Sequence, residues 1–162
     1  VTYCFLYGGG NTSIGYAYDK QLSEAQAKKK GKEIKEAYIA AIPGLRQFLE
    51  AVKQAAGRGY IKLIDGRKIN VDSGHKAVNY LLQGSAGVIA KRWMVINHHK
   101  SHTLGNQLCF VHDELQWECK PDNAELLKGN LEDSAIEAGE YYNLRIRINA
   151  EGQIGKNWAE VH

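Results

Sequence analysis

Apolar residues recur along the chain with two periods, one near 3.6 and one near 2, and the changes between them divide it into helices and strands. "VTYCFLY" opens the chain apolar and aromatic and stops at Gly8–Gly10. That reads as a helix ending in glycine, which tolerates the positive φ needed there. In "LSEAQAKKKGKEIKEAYIAAI" the apolar positions fall near the helical period, and Ser23 and Gln26 are spaced as a capping box. Pro43 breaks that helix, and "PGLRQFLEAVKQAA" restarts one with proline near its first turn. "GRGYIKLIDGRKINV" alternates apolar and polar around Asp65-Gly66 and predicts a β-hairpin. The longest helical pattern runs from about Ser73 to His99. "QLCFV" and "LQWEC" then predict two short strands joined through His112-Asp113-Glu114. A helix over about 123–140, an alternating strand "YNLRIRIN", and a tail "GQIGKNWAEVH" read as loop or short strand complete the pattern. Helices and short antiparallel strands in mixed order predict an α+β fold.

Composition narrows the class without naming a function. The 162 residues suit a single domain, and 44% hydrophobic residues suffice for a core, which argues against wholesale disorder. A net charge of +3 fits a polyanionic partner without requiring one. No apolar run is long enough to span a membrane, and no signal-peptide pattern is present. The three cysteines, Cys4, Cys109 and Cys119, lack metal-ligand spacing. Cys109 and Cys119 flank the second hairpin and are expected to be able to face each other across it, although an odd count favours a reduced, intracellular protein. The chain begins inside an apolar run with no initiator methionine, so it reads as a piece of a longer protein.

Four groups of residues could carry chemistry. Asp113 and Glu114 are adjacent at the second hairpin, and two ionised carboxylates held together repel unless a cation lies between them. Mg²⁺ prefers such oxygen ligands and needs only one or two carboxylates beside substrate phosphates. A solvated turn explains the same residues more simply. His75, Asn79 and Gln83 are spaced i, i+4, i+8 on the long helix and form one polar stripe, either solvent-exposed or aimed at a groove. Amide donors there can test base pairing through minor-groove acceptors without reading sequence. Tyr3 and Tyr7 stand i, i+4 on the first helix, as core residues or as a base-stacking surface. Lys28, Lys29, Lys30, Lys32 and Lys35 gather on one helix, as a solvated face or a nucleic-acid backbone track. His98, His99 and His102 form a His-rich helix end that the helix dipole favours, with zinc as the other reading.

In order and together, these segments resemble the C-terminal part of family A DNA polymerases, in particular the replicative polymerases of bacteriophages, relatives of bacterial DNA polymerase I. "YCFLYGGG" resembles the end of the fingers helix that closes over the incoming nucleotide. "IDGRKINV" resembles the family's hairpin, and "HKAVNYLLQGSAGVIAKRW" the helix whose Asn and Gln line the primer-template minor groove. "FVHDELQ" is similar to the motif with the second catalytic Asp, and "GKNWAEVH" to the chain terminus. The likeness extends over nearly the whole chain.

The resemblance implies a helical fingers portion over residues 1–56 and the C-terminal part of the palm, a short antiparallel sheet with packed helices, over 57–162. It implies that Asp113 binds the two Mg²⁺ ions as the catalytic carboxylate, supported by Glu114, while His112 contacts the primer terminus. Asn79 and Gln83 are implied to probe the minor groove, assisted by His75, where other branches carry Arg. Tyr7 is implied to stack at the template base. Tyr3 is implied to lie beside the nucleotide sugar, where Tyr points to DNA synthesis tolerant of a missing 3′-hydroxyl. The implied partners are primer-template DNA, a dNTP and an upstream polymerase segment, in the cytoplasm of a bacterial cell or phage host. That segment would supply the first catalytic Asp and the Arg and Lys that hold the triphosphate, so this chain alone is expected to be inactive. Two other readings stay open on the residues alone: a non-catalytic nucleic-acid-binding module, and a metal-dependent phosphohydrolase using His98, His99, His102 and Asp113.

Overall fold

The computed structural model describes residues 1–74 and 76–161. They form six α-helices and two separate two-stranded antiparallel sheets, an α+β fold. The chain divides into two compact units, Val1–Gly84 and Ser85–His162.

The first unit opens with α1 (Thr2–Leu6), capped by Tyr7 and turned by Gly8 at φ 79°. The Gly9 N–H donates to the Cys4 carbonyl at 2.8 Å, and a β-carbon on Gly9 would stand 2.6 Å from that oxygen, so the turn requires glycine. Residues 11–18, where the hydrophobic pattern predicted nothing, form α2 (Asn11–Tyr18). Its N-cap is Gly10, which offers no capping side chain, and Gly15 interrupts its apolar face, so neither usual helix signal is present.

Gly15 is needed because α2 crosses α3 (Glu24–Ala41) at backbone distance. A β-carbon at Gly15 would overlap the Ala27 carbonyl, and one at Gly31 would overlap the Asn11 carbonyl. Ile14 and Ala27 are fully buried at this crossing. The expected capping box on α3 forms: Gln26 N–H donates to Ser23 Oγ at 3.4 Å, and Ser23 N–H to Gln26 Oε1 at 3.0 Å. Ile42 then adopts an extended conformation before Pro43, and Gly44, at φ 83°, caps α4 (Leu45–Ala56).

The expected first hairpin pairs β1 (Tyr60–Lys62) with β2 (Lys68–Asn70), Ile61 opposite Ile69. Gly66 takes the left-handed conformation at its turn, at φ 83°. Ile61 and Leu63 are buried. Leu63 lies over Gly84, where a β-carbon would come within 2.8 Å of its Cδ2.

The long helix, expected from about Ser73, is α5 (Ala77–Ser101), and it runs on into the second unit. Before it, Lys76 N–H donates to the Ser73 carbonyl at 3.0 Å. In the second unit α5 packs with α6 (Ala124–Tyr141). Trp93 Nε1 donates to the Leu131 carbonyl at 2.8 Å, and the Arg92 guanidinium lies 3.9 Å from the centre of the Tyr141 ring. Buried Ser101 donates to Asn97 Oδ1 at 3.1 Å and accepts from Asn130 Nδ2 at 3.2 Å, while the buried Asn97 Nδ2 has no hydrogen-bond partner among the described residues.

Both strands of the second hairpin form, β3 (Gly105–Val111) and β4 (Glu114–Cys119). Two expectations fail nearby. Cys109 and Cys119 do not face each other: the register pairs Cys109 with Gln116 and Cys119 with Gly105, past an irregularity between Gln107 and Cys109, and all three cysteines are free. "YNLRIRIN" forms no strand. α6 ends in a Schellman-type cap, with Asn143 at φ 52° and Leu144 N–H donating to the Gly139 carbonyl at 3.1 Å. The segment then runs along α6, with Ile148 against Gly139. Alternation makes a strand only where another strand takes its backbone groups, and here a helix lies alongside. The tail is loop, as expected, up to a 3-10 turn at Trp158–Glu160.

Candidate functional site

The residues singled out in the sequence fall into two groups, one in each unit. In the first unit, Tyr3 and Tyr7 are exposed on α1, with ring centres 6.5 Å apart and tilted by 41°. They are therefore not core residues. On α5, Asn79 is half-buried and Gln83 exposed, one helical turn apart. Gln83 Nε2 donates a 2.7 Å hydrogen bond to the Tyr7 hydroxyl. The opening helix and the polar stripe, 76 residues apart in sequence, thus meet through one contact. His75, the first member of the stripe, lies outside the described residues.

Three residues missed by the sequence reading brace the start of α5. Asp72 accepts from Lys76 Nζ at 3.3 Å and from the Tyr80 hydroxyl at 3.2 Å. Those two bonds, Lys76 first, hold the Asp72 carboxyl below its ordinary range, and the same pair raises Lys76. The i, i+4 spacing of Asp72 and Lys76 was the available signal.

In the second unit, His112 and Asp113 are the two exposed residues at the tip of the β3–β4 hairpin, with Val111 paired to Glu114. His112 has φ 54°. The primed turns of two-residue hairpins require a positive φ at the first position, and histidine accepts it more readily than most residues. Glu114 is half-buried on β4 and accepts from Gln116 Nε2 at 2.7 Å. Gln116, two residues on along the same strand, holds that carboxylate and was another omission. The adjacent carboxylates of Asp113 and Glu114 suit a hard cation such as Mg²⁺, whose remaining ligands would come from a substrate phosphate and from another carboxylate.

No group of three His, Cys, Asp or Glu among the described residues is placed to hold a metal ion. His98 and His102 stack at 5.6 Å between centres, and His102 Nδ1 lies 3.1 Å from the His98 carbonyl, so these rings close the end of α5. The phosphohydrolase reading therefore lacks its ligand set. Of the lysines on α3, Lys30 pairs with Glu33 at 3.4 Å and Lys32 with Glu36 at 3.9 Å. Lys28 and Lys29 are exposed without an ion pair among the described residues.

Comparison with known proteins decides the family. The model of DNA polymerase family A matches residues 1–160. The chain belongs to that family. Within it, the chain is 31% identical to the DNA-directed DNA polymerase of Escherichia phage T7, over 99% of this chain and 25% of the relative. It is 26% identical to DNA polymerase I of Aquifex aeolicus (strain VF5), over 91% of this chain and 26% of the relative. The family fold is seen in the POL domain of Pol1 from M. smegmatis, solved in complex with DNA primer-template and dNTP. That structure matches with a TM-score of 0.73 and 27% identity, over 91% of this chain and 27% of that one. The chain thus spans about a quarter of the length of these family A relatives. No helix among the described residues is long and apolar enough to cross a membrane.

Proposed function

We propose that this chain is the C-terminal fingers-and-palm portion of a template-directed DNA polymerase, residues 1–56 being fingers and 57–162 palm. The whole enzyme transfers a nucleotidyl group from a dNTP to a primer 3′-hydroxyl, in the cytoplasm of a bacterial cell or phage host. The observation that carries this reading is the family match over residues 1–160 together with an exposed Asp113 at the hairpin tip, beside a second carboxylate held by Gln116.

Asp113, with Glu114 as its supporting neighbour, would bind the two Mg²⁺ ions, which when bound lower the energy of the charge developing on the transferring phosphoryl group. Asp113 presents its carboxylate to those ions, and the Gln116 amide keeps Glu114 oriented as the supporting partner. His112 lies beside Asp113 to receive the primer terminus. Asn79 and Gln83 offer amide donors to minor-groove acceptors at the newest base pairs, which every correctly formed pair presents in the same places. Tyr7 supplies a flat exposed face for the template base, and Tyr3 stands one turn away for the nucleotide sugar. His75 is assigned to assist Asn79 and Gln83. The first catalytic Asp and the Arg and Lys for the triphosphate come from an upstream segment.

The test is primer extension by this chain, alone and joined to the upstream segment, with DNA binding measured in parallel. The chain alone is expected to be inactive, and the joined enzyme active. Asp113→Ala in the joined enzyme is expected to lower turnover by about 10³-fold, the equivalent of roughly 4 kcal/mol of lost transition-state stabilisation, while primer-template binding largely survives. Turnover retained by Asp113→Ala refutes the metal-site assignment, and robust extension by the isolated chain refutes the need for a partner.

A further inference from the structure

The two roles assigned to Tyr7 and Gln83 are separate in the reading above, yet in the structure these side chains are joined. Gln83 Nε2 donates to the Tyr7 hydroxyl at 2.7 Å. Both ends of this bond are held. Tyr7 caps α1 just before the Gly8–Gly9 turn, which is closed by the Gly9 to Cys4 backbone bond at 2.8 Å. Gln83 precedes Gly84, against which Leu63 is packed, and Asp72, Lys76 and Tyr80 brace the helix one turn earlier.

A glutamine amide has two N–H donors and one acceptor oxygen. With one N–H committed to Tyr7, the amide plane is oriented and the other N–H points in a set direction. Without that bond an exposed glutamine samples several rotamers, because long polar side chains carry the most rotamer entropy to lose. We infer that the Tyr7 hydroxyl is a positioning group for Gln83, fixing the amide so that its second N–H meets the minor-groove acceptor of the newest base pair. The inference rests on the minor-groove role proposed for Gln83 and adds a residue that acts through it. It also makes one tyrosine serve two tasks: its ring faces the template base, and its oxygen sets the group that checks the pair formed there.

Tyr7→Phe separates the two tasks, because it keeps the ring and removes only the oxygen. In the polymerase carrying this segment, the ratio of extension from matched to mismatched primer ends is measured for Tyr7→Phe, Gln83→Ala and the double variant. Loss of a single hydrogen-bond anchor is expected to lower the ratio about three- to tenfold in Tyr7→Phe. The double variant is expected to match Gln83→Ala alone, since removing the anchor of an absent amide changes nothing further. Such non-additivity is not produced by a merely structural role for Tyr7. A lowered ratio in Gln83→Ala with no change in Tyr7→Phe, or fully additive effects, overturns the positioning role and leaves the minor-groove reading standing. An unchanged ratio in Gln83→Ala and in Asn79→Ala removes the minor-groove reading, and the positioning role with it.

Discussion

Gly31→Ala tests the contact on which the first unit is built, because opposite signs follow from helix propensity and from the packing. Gly31 lies inside α3, where alanine is the better helix former by about 1 kcal/mol. If the position were open, the substitution would stabilise the protein. In the structure the added methyl would overlap the Asn11 carbonyl and lie 2.8 Å from the Gly15 nitrogen. Both obstacles are backbone, so no side-chain rotation relieves them, and α2 must move away from α3 around the fully buried Ile14 and Ala27. Overpacking of this kind costs about 1–3 kcal/mol. Because the overlap is with backbone, the upper part of that range, about 2–3 kcal/mol, applies, and after the gain in propensity a net loss of about 1–2 kcal/mol remains, or about 4–16 °C in the melting temperature of the unit Val1–Gly84. The assay is thermal or urea unfolding followed by circular dichroism, with Gly129→Ala as the control. A β-carbon at Gly129 in α6 meets nothing within 4 Å, so that variant is expected to gain up to about 1 kcal/mol. A Gly31→Ala protein as stable as the parent or more so would refute the close crossing.

Two further substitutions probe the support of the stripe on α5. Asp72 is held below its ordinary value of 3.8 by Lys76 and then Tyr80, so its contribution is present above that pH and is lost as pH falls through the lowered value. Asp72→Asn is therefore expected to flatten the acid limb of stability below about pH 4, and identical acid limbs in parent and variant would refute the bracing. Leu63→Ala removes a buried side chain resting on Gly84 and is expected to cost about 2–5 kcal/mol in urea unfolding; a loss below about 1 kcal/mol would mean that the hairpin does not buttress the helix.

Most of the α+β architecture was legible because local and tertiary preferences agree in it. The capping box at Ser23 and Gln26, the break at Pro43 and the Asp65-Gly66 turn each state a backbone requirement that no distant contact had to supply. The omissions have a common cause. α2 is specified by its crossing with α3, which demands glycine where a helix pattern expects an apolar or helix-favouring residue. "YNLRIRIN" carries strand alternation but has α6 rather than a strand beside it. The bulge between Gln107 and Cys109 moves the cysteine register in a way that composition cannot announce. The candidate site residues were named one by one through the family resemblance. Its couplings, Gln83 to Tyr7, Gln116 to Glu114 and Asp72 to Lys76 and Tyr80, are properties of three-dimensional proximity or of side-chain direction, and only the last pair left a trace in its spacing.

His112 shows how a site and a stability cost coincide in one residue. The hairpin needs a positive φ at its first turn position, and His112 takes it at 54°. A non-glycine residue there costs on the order of 1–3 kcal/mol, with histidine toward the low end of that range. Glycine adopts the conformation freely but loses about 0.5–1 kcal/mol more to chain entropy on folding. His112→Gly is therefore expected to leave the β3–β4 hairpin intact and to keep stability at or up to about 0.5 kcal/mol above that of the parent. If the imidazole receives the primer terminus, the same variant loses primer extension without losing stability. A variant that is both less stable and less active would instead make His112 a packing residue of the turn. Unfolding and extension measured on one preparation separate these outcomes, because a residue kept only for the turn gives no reason to prefer histidine over glycine at this φ.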